Sequence, residues 1–142
     1  MEVYYNMTEI LEKYNITMKI DSPLTTIYLP EQVDDVQYIK VRYATYITVT
    51  SGNRLMQIAL SGLNPRSYYF NGSTHQQYLR TLPLLPNLNA FNNYFNSQLN
   101  LYDVKLPSKQ TIFKLDFSIM IDGALATDIS PSNPLYLELS FF

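Results

Sequence analysis

The sequence has no cysteine, no tryptophan, one histidine and four glycines in 142 residues. Without cysteine there is no disulfide framework, no thiolate nucleophile and no Cys-ligated zinc. With His75 as its one histidine, the chain is also excluded from every multi-His metal site. Charged residues make up 15%, where about a quarter is usual. The net charge is −2 with no basic run, so a phosphate-tracking patch for nucleic acid is not expected. No window reaches the ~18 consecutive apolar residues of a membrane helix. The start Met1-Glu2-Val3-Tyr4-Tyr5 lacks the basic residues and apolar core of a secretory signal. The expected site of synthesis and assembly is therefore an intracellular, reducing compartment. Asn-x-Ser/Thr sequons at Asn6, Asn15 and Asn71 read as chance in an Asn-rich chain.

Hydrophobic residues make up an ordinary 46%, and the length suits one domain that buries roughly two thirds of its unfolded surface. Polarity comes from Asn, Ser, Thr, Gln and the hydroxyls of 13 tyrosines. Much Tyr with little Lys and Glu is the composition of an interface. Codon usage in an AT-rich genome gives a similar bias, and composition alone leaves both open.

Period-two alternation carries the fold. In the last third, Phe113, Leu115, Phe117, Ile119 and Ile121 fall on every second residue, and Leu135, Leu137, Leu139 and Phe141 repeat the pattern. Alternate side chains of a strand point to opposite faces, so both runs read as half-buried strands. Asp122-Gly123 and Ser130-Pro131-Ser132-Asn133-Pro134 mark turns between them. The chain still reads as strand at Phe142, which places its end in the sheet or in a neighbouring chain.

Earlier, residues 1–15 read as a short helix, with Asn6 and Glu9 as a capping box, or as an extended arm. Short strands follow at 16–20 and 24–29, the second ended by Pro30, and 31–35 is an acidic loop. From Tyr38 to Thr50, Ile39, Val41, Tyr43, Ile47 and Val49 share one face, and Lys40, Arg42, Tyr46, Thr48 and Thr50 the other. Ser51-Gly52-Asn53-Arg54 then predicts a hairpin to a return strand at Leu55–Leu60. Asn71-Gly72 is a second tight turn, residues 77–82 a short strand, 84–96 a long Asn- and Phe-rich loop, and 99–106 a strand ended by Pro107. About eight strands without an interior helix predict an all-β, antiparallel two-sheet sandwich, a single jelly roll over residues 16–142.

No motif carries catalysis. His75 lies beside a turn, and no Gly-x-Ser-x-Gly elbow accompanies it. Asp116 and Glu138 occupy polar strand positions and would form a glycosidase-like pair if brought together, although solvated sheet faces produce such pairs routinely. Asp21, Glu31, Asp34 and Asp35 lack the Gly-punctuated spacing of a calcium loop. Tyr43 with Tyr46, and Tyr68 with Tyr69, are candidate stacking platforms for sugar rings or core and contact residues. No enzyme activity, cofactor or metal is expected.

From residue 38 to 142 the order of elements resembles small jelly-roll capsid proteins of large icosahedral double-stranded DNA viruses. The likeness is to the minor capsid and penton-type proteins of virophages, polinton-like viruses and their giant-virus relatives. It is carried by the Tyr38–Leu60 strands with Ser61-Gly62-Leu63, then Tyr69-Phe70-Asn71-Gly72 and Tyr78-Leu79-Arg80-Thr81-Leu82-Pro83-Leu84. Leu115-Asp116-Phe117-Ser118-Ile119 with Asp122-Gly123 and the closing Asn133-Pro134-Leu135-Tyr136-Leu137-Glu138-Leu139 complete it. The chain has no room for the outer domain that penton proteins often insert. The resemblance implies a structural virion protein, a minor capsid, cement or penton-type subunit. Its expected partners are itself, as trimer or pentamer, and other capsid proteins. The competing class is a carbohydrate- or receptor-binding β-sandwich head of a viral spike. The candidate interface residues are Tyr4, Tyr5, Leu88, Phe91, Tyr94, Phe95, Phe141 and Phe142.

Overall fold

A computed structural model describes residues 11–50, 52–63, 68–70, 72–73, 75–95 and 103–142. The described residues form β1 (Tyr14–Ile20), β2 (Leu24–Ile47), β3 (Arg54–Ser61), β4 (Tyr68–Phe70), β5 (His75–Gln77), β6 (Arg80–Leu84), β7 (Phe91–Phe95), β8 (Val104–Ile121), β9 (Ala124–Leu125) and β10 (Leu135–Phe141). No helix occurs among them, and so none long and apolar enough to cross a membrane. The expected N-terminal helix or arm falls largely outside the described residues, but from Tyr14 the chain is already sheet.

The fold is all-β. One curled antiparallel sheet runs in the order β1-β10-β2-β8-β3-β6, with β7 added to β2 and β9 to β8. β4 and β5 form a small hairpin of their own. β2 and β8 are long, 24 and 18 residues. Their pairing is continuous from Leu24↔Ser118 to Tyr28↔Lys114, then broken by register shifts before Tyr38↔Lys105. Beyond that break β2 turns to other neighbours, β10 on one side and β7 on the other. The shifts carry the chain through Pro30, the acidic residues and Pro107 without ending either strand, so the expected acidic loop is irregular strand. A bulge admits an unpaired residue and bends the strand, which lets one sheet curl around a core.

The expected hairpin of Tyr38–Thr50 with Leu55–Leu60 does not form. Gly52 takes the positive φ of 118° that its turn requires, yet β3 pairs with β8 and β6. β8 lies between β2 and β3, and its alternating apolar residues serve both. The Asp122-Gly123 turn does close a hairpin, β8 to β9, with φ of 52° and 84° at its two central residues.

The core lies inside the curl. Leu115, Phe117, Ile119 and Ile121 of β8 meet Leu135, Leu137, Leu139 and Phe141 of β10, all buried. Each such side chain contributes roughly 1.5–3 kcal/mol over an exposed one. Phe113 shares their spacing but lies beyond the register break and is exposed. β10 sits between β1 and β2, and Phe142 continues it by accepting from the Gln37 and Tyr38 amides at 2.8 and 3.0 Å. Phe141 and Phe142 are both buried in the chain's own fold. Of the candidate interface residues, these two are thus packed within the chain's own sheet.

Candidate interaction surface

One extra residue decides which tyrosine faces outward. Leu139 pairs with Val41 and Glu138 with Tyr43, leaving Arg42 unmatched as a bulge. Before the bulge Ile39 and Val41 are buried, and after it Ala44 and Tyr46 are buried. The single added residue inverts the alternation. Tyr46 therefore turns into the core, where burial pushes its hydroxyl pKa up, and Tyr43 turns outward. The two do not form a stacking platform. Tyr68 and Tyr69 are adjacent on β4 and point to opposite faces.

Residues 84–96, expected to be a loop, contain β7, which pairs with β2 from Tyr43↔Phe95 to Ile47↔Phe91. The side chain of Asn92 holds this segment in place. Its Oδ1 accepts from the Leu85 amide at 2.6 Å, and its Nδ2 donates to Thr48 Oγ1 at 2.5 Å and to the Tyr46 and Ala90 carbonyls. Asn92 is 3% exposed, so losing these bonds leaves buried groups unpaired. Asn92→Ala is expected to cost about 1–3 kcal/mol. Urea denaturation measures the loss, with faster exchange of the Leu85 amide as its local sign.

With Asn92 and Tyr94 turned inward, Phe91, Asn93 and Phe95 face out. Phe91 is 59% and Phe95 69% exposed. The Phe95 ring lies 5.0 Å from that of Tyr43, and Thr45 Oγ1 donates to Asn93 Oδ1 at 2.6 Å. Tyr136, opposite Thr45 on β10, widens the surface, and Leu88 is exposed in the segment leading to β7. Of the candidate interface residues, Leu88, Phe91 and Phe95 thus belong to one exposed region, while Tyr4 and Tyr5 lie outside the described residues. Tyr94 is half-buried, with the Arg80 guanidinium 4.1 Å from its ring centroid. Ile47 and Tyr136 join this surface without having been singled out. The alternation Phe91-Asn93-Phe95 was the signal for it, obscured by the low strand propensity of Asn.

Beneath β7, Asp103 accepts from the Val41 amide at 2.5 Å, Arg80 Nη1 at 3.1 Å and Tyr94 Oη at 3.4 Å. Its side chain is 2% exposed. Burial pushes its carboxyl above the ordinary value, against the opposing pull of these three partners.

The other candidate chemistry is scattered. His75 is exposed on β5, stacked 4.8 Å from Phe70. Asp116 pairs across from Thr26 and Glu138 across from Tyr43, far apart along β2, so the two carboxylates are not brought together. The Thr26 hydroxyl donates to Asp116 at 2.6 Å and holds its pKa below the ordinary value, with Lys114 adding to the effect. Thr26→Val is expected to raise the Asp116 pKa toward 3.8, as read by carboxyl-carbon NMR titration. Among the described residues no group of three acidic or histidine side chains is placed to hold a metal. Asp34 is instead tied to Gln32 and Thr111. A cleft of about 310 Å³ lies between Ser61–Leu63 and Gln110–Lys114, and Lys114 and Asp116 at its rim are paired with each other at 3.5 Å.

No protein-family model matches the sequence, and no curated protein matches it.

Proposed function

We propose that the chain is a structural capsid subunit, of minor capsid, cement or penton type, that associates with itself and with other capsid proteins. In this reading the curled sheet is a jelly-roll sandwich. One layer is β1, β10, the second half of β2, and β7. The other is the first half of β2, the second half of β8, β3 and β6. The observation that carries the proposal is the exposed aromatic face of β2 and β7. Tyr43, Phe91, Phe95 and Tyr136, with Ile47, lie together on the outer side of three neighbouring strands, β10, β2 and β7. An apolar patch of this kind on a protein with few charges marks a contact with another protein.

A spike head that binds carbohydrate requires tyrosines lining an open groove. Tyr46 is in the core, and the Tyr43 ring is packed against Phe95, which favours the structural reading. Light scattering on the purified chain over a concentration series tests the choice. The capsid reading expects a discrete oligomer or larger shell-like species. A monomer at every concentration that binds glycans on an array would overturn it.

A further inference from the structure

We infer that the free edge of β7 pairs antiparallel with β7 of a second copy of this chain, across a two-fold axis at Asn93. The inference rests on the self-association reading and gives that contact its surface and symmetry.

The backbone sets the edge. Among the described residues β7 pairs with β2 alone, in a register without a shift. The Thr48 amide donates to the Ala90 carbonyl at 2.9 Å, so that position belongs to the hydrogen-bonded class. Antiparallel ladders alternate. Tyr46 with Asn92 and Ala44 with Tyr94 fall in the same class, and Ile47 with Phe91, Thr45 with Asn93 and Tyr43 with Phe95 in the other. The amides and carbonyls of Phe91, Asn93 and Phe95 consequently point away from β2, and no strand among the described residues pairs with them.

Proteins blunt such edges with charge, proline or a bulge. β1 carries Lys19, and Lys13 immediately precedes it; β6 carries Arg80 and Pro83. β7, Phe-Asn-Asn-Tyr-Phe, has none of these devices. Its outward residues, Phe91, Asn93 and Phe95, also read the same from either end. Antiparallel pairing about Asn93 sets Phe91 opposite Phe95 of the second copy and Asn93 opposite its own counterpart. A two-fold contact requires this self-complementarity, and directly opposed aromatics on one face stabilise it. Phe91, Phe95, Leu85 and Leu88 each expose more than half of their surface. Of these, Phe91 and Phe95 shield one another in the two cross-strand pairs that the two-fold creates.

The experiment uses the whole chain in sedimentation equilibrium. Asn93→Pro removes an amide on the free edge and none directed to β2, so the expected result is a folded protein with dimerisation weakened by about a hundredfold or more. Asn93→Cys supplies a second reading that does not depend on proline being tolerated. Across an antiparallel hydrogen-bonded pair the Cα atoms sit about 5.5 Å apart, within disulfide range, and the native chain has no cysteine to compete. Under mild oxidation Asn93→Cys should form a covalent dimer at concentrations where Ser132→Cys, on an exposed turn, does not. If the native chain associates but Asn93→Pro leaves the constant unchanged and Asn93→Cys cross-links no better than Ser132→Cys, the β7 pairing is overturned and self-association stands. If the native chain is monomeric and Asn93→Cys shows no excess cross-linking, both are overturned.

Discussion

Phe141→Ala should lower the stability of the chain by about 3–5 kcal/mol, the usual range for deleting a buried aromatic ring. Phe141 is 0% exposed although it is the penultimate residue. It pairs with Tyr14 on one side and Ile39 on the other, and its ring centroid is 6.4 Å from that of Tyr14. Its carbonyl accepts from the Lys13 amide at 2.8 Å. The cavity left by alanine would open between three strands whose backbones are fixed by ladder bonds, so little collapse can relieve it. Phe95→Ala is the control. That ring is 69% exposed, and its loss should cost under about 1 kcal/mol in a dilute, dissociated sample. Urea denaturation of both variants separates a terminus that completes the core from one held for a partner. A loss at Phe141 no greater than at Phe95 would contradict the fold described above.

The second large effect is expected at Asp103. Asp103→Ala leaves the buried Val41 amide without an acceptor and removes a partner from Arg80 and Tyr94, at a cost of roughly 3 kcal/mol. Asp103→Asn keeps an oxygen for the amide and should cost less. The pH dependence separates charge from hydrogen bonding. Because burial raises the folded pKa of Asp103 above 3.8, the folded state holds this proton to higher pH than the unfolded chain does. The stability this group contributes is then fully present below the unfolded value and is lost as pH rises through the folded one. Asparagine has no proton to lose. Relative to the native chain, Asp103→Asn should therefore look worst at the acid end and improve as pH rises above 3.8. Unfolding free energies at several pH values from about 4 to 7 measure this difference. A difference that stays flat with pH would contradict the raised pKa.

The all-β class and the two terminal strands were legible because their residues alternate without interruption and every inward position is apolar. Local alternation failed where one residue changed the phase. The bulge at Arg42 leaves no mark in the sequence, yet it exchanges the faces of Tyr43 and Tyr46. The turn at Gly52 was read correctly as a turn and wrongly as a hairpin, since pairing with β8 is non-local. β7 was hidden by its asparagines, which disfavour strands alone but here bond to β2 and to the preceding segment. The same bias obscured the surface: Phe91 and Phe95 were identifiable as unusual, but their juxtaposition with Tyr43 and Tyr136 exists only once β7 and β10 flank β2.

The most direct test of the chain as a self-associating subunit is amide hydrogen exchange at low and high protein concentration. The amides of Phe91, Asn93 and Phe95 should exchange rapidly in dilute solution and become protected as concentration rises. Those of Asn92 and Tyr94, bonded to β2, should be protected throughout. Rapid exchange of the first three at every concentration would contradict self-association through β7.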